Sequence, residues 1–443
     1  MEDVVIIGSG LAGLSTGMEL AMKGRRVTLL ERYKVVGGRC ADWVMDGMHV
    51  ESGLHRWLGF YKALPALFKK AGLNPDDAVI WEDELQIRLP DGGPRGVLGL
   101  APLYNPVETI TGFLGNNDLM SPGDKATLTY FFAAGLIDYA LSRAALDNNT
   151  VYDYAKKRGV PDEAITNLLV PVTEGIFFLP PERYSALVLM GLLVPGVKRP
   201  HTIRVGSFKG GMTEVMCGPI AEALTAKGAT VRTEAEVERL IVEDGRVRGV
   251  VVGGERIEAD HVVLATSLAP AQRLIRDGLG DHPAFRKMLT LATMPAVTLQ
   301  IELTEPALPK DHTVFSPKTL LASYAEQSRS TFRHVPGRLS IDLARPEVYI
   351  DKSPEEILAA VLADAKRLEL DIEDKITAYR VVTHPEDFYL LAPGSEKLRP
   401  AQATPVPGLT LAGDYTRQPL FCSMEGAVIS GQRAAKGVLK AAA

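Results

Sequence analysis

Glycines, two carboxylates and one His-Arg pair are the residues of this chain whose types and spacing could do chemistry. Gly8, Gly10 and Gly13 stand in GSGLAG, between an apolar run at 4–7 and an amphipathic run at 14–23. In that setting the first glycine permits a tight turn, and the second lets backbone approach a pyrophosphate. The third lets a helix pack close on a strand. Unpaired amides at the start of such a helix face the phosphate charge. Glu31 ends the next apolar run, 27–30. A carboxylate about 20 residues beyond the glycines accepts bonds from ribose hydroxyls and repels a 2′-phosphate. Leu11, Ala12 and Arg32 fall within the same predicted site.

Gly38 and Arg39, in VVGGR, add bare backbone amides and a fork of donors suited to phosphate or a ring carbonyl. A nicotinamide cofactor needs no second glycine loop here, whereas the longer FAD does, so FAD is the predicted cofactor. His55 and Arg56 lie between Gly53 and Gly59 in a stretch poorly suited to a plain core strand. They are expected to line the flavin face or to take up a proton; the plainer reading is a satisfied or surface histidine. Near the C-terminal end, Gly413 and Asp414 close a short strand, and the Asp414 carboxylate suits sugar-alcohol hydroxyls. A helix then opens at Met424, with Gly426 and Gly431 nearly on one face. Each glycine costs about 1 kcal/mol of helix propensity relative to Ala. A helix N-terminus aimed at a ring that gains negative charge would offset that cost.

The elements that must position these residues read as α/β. Strands are expected at 4–7, 27–30, 230–233 and 259–266, and a hairpin joins 237–242 to 247–252 across Asp244-Gly245. Helices are expected at 64–71, 128–146, 151–157, 162–170, 212–227 and 354–368, and strands at 81–89, 297–303, 339–343 and 376–382. The fold class predicted is a doubly wound, Rossmann-type FAD-binding domain, discontinuous in sequence, with an α+β substrate domain. The first takes residues 1–75, 205–270 and 400–443. The second takes 76–204 and 271–399, with a helical part at 106–204 and a sheet part at 271–399. The apolar run 185–194, followed by Lys198 and Arg199, reads either as a hairpin dipping into one membrane leaflet or as a buried core helix.

A length of 443 residues favours two or three domains, and a formal charge of −5 gives no drive toward nucleic acid. Cys40, Cys217 and Cys422 make neither an even disulfide framework nor a metal-ligand spacing, so no metal and a reducing, cytoplasmic setting are expected. The first residues run straight into a strand, which predicts no signal peptide. No uncharged apolar run reaches the roughly 18–20 residues of a spanning helix.

Taken together, these motifs resemble the FAD-dependent amine oxidase/phytoene desaturase superfamily, and most of all the plant and cyanobacterial type of phytoene and ζ-carotene desaturases. GSGLAG with Glu31 and VVGGR resemble the FAD fingerprint. SGLHRWLGFYKALPALFKKAGL is similar to the GLH-x-x-x-G segment, and the stretch 380–435 to the C-terminal signature with its GDYT-x-Q and SMEGA pieces. The resemblance implies that Gly8, Gly10 and Gly13 hold the pyrophosphate and Glu31 the adenosine ribose. It places Gly38 and Arg39 between pyrophosphate and isoalloxazine, and Val237 where adenine is read through main chain. Gly413 and Asp414 then contact ribityl or pyrophosphate groups, and Met424 with Ala427 faces the flavin N1–C2 edge. His55-Arg56-Trp57 departs from the more apolar residues expected after GLH. Cys422 does not match the covalent-flavin cysteine of monoamine oxidases, so non-covalent FAD is expected.

The implied activity is desaturation of a long apolar isoprenoid or carotenoid-type lipid by hydride transfer to flavin N5 in a dry slot; the sequence offers no convincing base, His55 being the nearest to one. Alternatives are a hydroxysqualene dehydroxylase-type lipid reaction, an FAD amine oxidase, and a non-catalytic FAD-binding lipid carrier. A quinone acceptor and monotopic membrane contact go with the plant-type resemblance, peripheral on the inner membrane face.

Overall fold

The computed structural model describes residues 2–82, 84–99 and 119–441. The helical pattern expected over 106–118 lies outside the described residues. Five parallel strands form one sheet in the order Thr230–Arg232, Arg26–Leu30, Asp3–Ile7, His261–Leu264, Leu409–Leu411. Val4 to Ile7 and His261 to Leu264 are buried throughout, as strands covered on both faces must be. The chain leaves the central strand toward one edge and later returns on its other side. The order therefore reverses beside Asp3–Ile7, and ligands bind beyond the carboxyl ends of strands at such a reversal. Gly8 begins there.

Helix Leu11–Ala21 follows that strand and packs against the tail helix Met424–Ala441. A Cβ at Gly431 would lie 2.3 Å from the Ala12 carbonyl oxygen, so the glycine sets how closely the two helices approach. The hairpin at Asp244-Gly245 forms as expected, both residues having positive φ, and heads a three-stranded meander, Val237–Glu243, Arg246–Val252 and Glu255–Glu258.

The second layer is a seven-stranded, mostly antiparallel sheet in the order Ile376–Tyr389, Thr293–Leu303, Gly337–Leu343, Leu321–Glu326, Val314–Phe315, Glu84–Arg88, Arg95–Gly99. Helix Pro354–Arg367, opened by a Ser353/Glu356 capping box, buries Ile357, Val361 and Ala365 against it. The strand expected at 376–382 runs on to Tyr389, through Pro385. It lies at the sheet edge, and the ladder is irregular opposite Pro385, where the missing donor breaks no bond. The single strand expected at 81–89 is two, Val79–Trp81 and Glu84–Arg88, in different sheets.

Prolines also redraw two predicted helices. The helix expected at 162–170 passes through a π-helical turn, Ile165–Leu169, and continues as Val170–Phe177 with Pro171 in its first turn. The helix expected at 212–227 likewise begins with a π-turn, Thr213–Cys217, before Gly218–Ala226 with Pro219. In each case the proline lacks the amide for an i→i−4 bond, and the widened turn just before it accommodates the ring. Helix Ala186–Lys198 carries Pro195 inside its last turn. Its residues Ala186 to Gly191 are buried, with Met190 against Gly135 of helix Pro122–Leu141, so the first half of this segment packs as a core helix, while Leu192 to Pro195 are only partly buried.

Candidate functional site

A cavity of about 2190 Å³ opens at the carboxyl ends of the parallel strands and extends to the seven-stranded sheet and the helical layer. Gly8, Gly10, Leu11, Ala12, Glu31, Arg32, Gly38, Arg39, Val237, Gly413, Asp414, Met424 and Ala427 all line it, as do His55 and Arg56. Gly13 lies just beneath, where a Cβ would stand 1.9 Å from the Gly8 carbonyl oxygen. Gly8 has φ +102°, and a Cβ there would be 2.9 Å from the Ala265 carbonyl oxygen, so both conformation and space require glycine. At Gly10 a Cβ would meet only the Gly37 carbonyl oxygen, 3.8 Å away, and would otherwise project into the cavity. The helix starting at Leu11 has no side-chain cap and no acidic residue in its first turn. Its first amides are thus left for a ligand anion.

Glu31 is held by a residue the sequence reading passed over. Ser9 donates to Glu31 Oε2 from its amide (3.0 Å) and its hydroxyl (2.6 Å), while the Tyr33 amide donates to Oε1 (3.0 Å). The serine between the first two glycines therefore fixes the acidic side chain at the cavity rim.

Arg39 sits in a 3₁₀ turn, Gly38–Cys40, with Nη2 2.6 Å from Asp414 Oδ1 and its guanidinium 4.9 Å from the Phe388 ring centre. The loop carrying Asp414 is pinned from behind by Arg399, which is fully buried. Its guanidinium donates to the carbonyls of Asp414 (3.1 Å), Tyr415 (3.2 Å) and Thr416. Thr416 bonds Ser430 of the tail helix (2.7 Å), and Gln418 donates to the Asp414 carbonyl (2.9 Å). Glu425, the second residue of the tail helix, accepts the amides of Lys62, Ala63 and Leu64 at 2.7–2.8 Å. It caps helix Ala63–Lys70, which has no side-chain cap of its own.

His55 donates from Nδ1 to the Gly53 carbonyl (2.9 Å), which leaves Nε2 as an acceptor. Burial, helped by Arg39, His384 and Arg56, lowers its pKa to about 4, so the ring is neutral at pH 7. Arg56 is committed elsewhere. Nε is 2.8 Å from Glu82 Oε1 and Nη2 is 2.6 Å from Asp311 Oδ1. A guanidinium held between two carboxylates accepts no proton, which corrects the expectation that Arg56 could do so. Trp57 turns away into the core against Phe68.

The sequence reading missed the polar residues of the sheet wall, Thr298, Thr313, Ser323 and Asp342, and the pair His384–Asp387, 3.0 Å apart. It also missed the hairpin Asp42–Met45/Met48–Glu51, although Asp46-Gly47 is the same turn signal as Asp244-Gly245. Facing the sheet, the helical layer contributes an apolar wall from Phe132, Leu136, Val172, Ile176 and Leu192, with Phe315 beside it, whereas charged residues such as Arg232, Glu236 and Arg273 line the cavity near Val237.

The family model for flavin containing amine oxidoreductases matches residues 11–439. The chain belongs to that family. It is 30% identical over 458 residues to the 15-cis-phytoene desaturase of Solanum lycopersicum, covering 99% of this chain and 78% of that protein. It is 27% identical over 478 residues to a probable zeta-carotene desaturase of Synechococcus elongatus, covering 99% of both. An oxidoreductase structure from Methanosarcina mazei superposes with a TM-score of 0.77 at 18% identity, over 99% of this chain and all of that one. The desaturase-type resemblance and the α/β class are thereby borne out, and the protein is an oxidoreductase.

As a member of this flavin family the chain has residues that fit the cofactor. Gly10 leaves the backbone open to a phosphate, and Asp414 Oδ2 is buried with no hydrogen-bond partner among the described residues, an acceptor suited to a ligand hydroxyl. Among the described residues no helix is long and apolar enough to cross a membrane.

Proposed function

We propose that this protein binds FAD non-covalently and desaturates a long, apolar isoprenoid chain of the carotenoid type. The observation that carries this reading is the continuity of one cavity from the glycine loops to aliphatic and aromatic walls. Gly8, Gly10, Leu11, Ala12 and Gly13 would hold the pyrophosphate, with Glu31 and Arg32 at the ribose and Val237 at adenine. Gly38, Arg39, Gly413 and Asp414 would hold the ribityl side, with Met424 and Ala427 at the ring edge. When bound, the flavin supplies a hydride acceptor.

The protein's part is to hold the chain in register against that ring and to exclude water. His55, neutral and with Nε2 free of a proton, would take up the proton that desaturation releases. Burial pushes the Cys422 thiol up to about 12, which keeps it from acting as a thiolate toward the flavin and supports non-covalent binding. The outer face of helix Pro122–Leu141 exposes Tyr130, Ile137 and Leu141. In this reading that face rests on the inner membrane surface from the cytoplasmic side, where lipid enters and a quinone takes the electrons.

The test is anaerobic mixing of the yellow protein with isoprenoid polyenes. The reading expects bleaching of the flavin and a product lighter by two hydrogens. Loss of oxygen from a hydroxylated substrate would favour the dehydroxylase-type reaction. Bleaching by amines alone would make the protein an amine oxidase and overturn the reading.

A further inference from the structure

At the sheet end of the cavity, opposite the apolar helical wall, the lining is polar, and its polar groups are arranged in a row. Thr298, Asp342 and Ser323 come from three neighbouring strands and all line the cavity. Asp342 pairs in register with Thr298 on one side and with Ser323 on the other. The Asp342 side chain is buried, and its carboxyl accepts from Thr298 Oγ1 at 3.0 Å, the Leu54 amide at 3.3 Å and Ser323 Oγ at 3.4 Å. Two of those bonds are longer than a well-made hydrogen bond, and a carboxylate has about four acceptor sites, so it has room for one more donor. A Cβ placed on Gly53 would touch Thr298 Oγ1 (3.5 Å), Asp342 Oδ1 (3.7 Å) and His55 Cε1 (3.7 Å). The three groups therefore converge on one point.

Arg56 lines the same cavity with a side chain only 9% exposed, and its Nη1 is buried with no hydrogen-bond partner among the described residues. A hydrocarbon lying on this wall would leave both the spare acceptor and the orphaned donor unmet, each at the desolvation cost of a buried polar group. A hydroxyl both donates and accepts. A carbonyl offers nothing to a carboxylate, and an ammonium could donate to Asp342 but has no acceptor for the Arg56 Nη1 donor.

We propose that the isoprenoid substrate carries a hydroxyl group, which seats against Asp342 in the row formed with Thr298 and Ser323, on the wall that Arg56 also lines. This rests on the reading that the cavity takes a long isoprenoid chain, and adds that the chain is oxygenated.

The experiment uses the flavin-loaded protein and two radiolabelled probes in equilibrium dialysis: the C20 alcohol geranylgeraniol and the hydrocarbon of the same skeleton lacking the hydroxyl. Wild type is expected to bind the alcohol at least about tenfold more tightly, the effect of one hydrogen bond to a charged group. Asp342→Leu is expected to bind both probes alike, and Asp342→Asn to keep most of the preference. If Asp342→Leu fails to fold, Ser323→Val is expected to reduce the preference severalfold. Equal binding of the two probes by wild type, or an undiminished preference in the folded Asp342→Leu protein, would overturn the proposal while leaving the long-chain reading standing. Binding of neither probe would remove that reading and the proposal with it.

Discussion

At its glycine-loop end the cavity is shaped mainly by backbone, and at its sheet end by side chains. Gly8, Gly10 and Gly13 leave room that any Cβ would fill, and the uncapped helix terminus would supply the donors. The opposite wall is assembled from Thr298, Asp342, Ser323 and Phe315, with Leu192 and Val172 from the helical layer. Backbone recognition requires particular residues at particular spacings. Side-chain recognition requires only that some residue of the right size and polarity arrive from somewhere in the fold. The first is expected to be brittle to single changes, and the second tunable.

The largest effect is expected at Gly13. A methyl group there meets a backbone carbonyl that has nowhere to go, so Gly13→Ala should lose about 3 kcal/mol of stability and most bound flavin. Denaturant unfolding and flavin absorbance measure both, and an unperturbed variant would break the contrast drawn above. Next comes Glu425, whose carboxylate caps a neighbouring helix through three amides. Glu425→Ala should cost about 2 kcal/mol, with the loss tracking detachment of helix Ala63–Lys70 in hydrogen exchange.

The smallest effect concerns Glu51, just behind the sheet wall. Burial raises its pKa to about 7, and its Oε1 has no hydrogen-bond partner among the described residues. The folded state therefore holds this proton between roughly pH 4.5 and 7 while the unfolded chain has released it, and the group's contribution to stability falls as pH rises through that window. Glu51→Gln should be more stable than wild type by about 1 kcal/mol near pH 8, with the gain shrinking toward pH 5. A gain that is constant with pH would show that Glu51 is not the titrating group.

The same contrast explains what could be read from the sequence. GSGLAG, Glu31, VVGGR and the GDYT-x-Q loop announced themselves because backbone turns and close approaches restrict residue choice, and the structure gathers all of them on one cavity. The row at Thr298, Asp342 and Ser323 stayed hidden because its members are far apart in sequence and meet only through strand register. Ser9 and Arg399 were hidden for another reason. Each acts by holding a functional residue in place, and a buried arginine that binds carbonyls looks in sequence like any surface arginine. The π-turns before Pro171 and Pro219 were not foreseen because apolar periodicity reports a helix but not the local widening that lets a proline sit inside it.

The account stands or falls on whether the glycine end holds FAD independently of the polar wall. Titrating flavin-free protein with FAD, followed by flavin fluorescence, tests this directly. One site per chain is expected in wild type, with affinity about 100-fold weaker in Asp414→Ala, equivalent to about 2.7 kcal/mol, and unchanged in Asp342→Asn. Failure of the wild-type chain to take up FAD, or equal losses in the two variants, would contradict it.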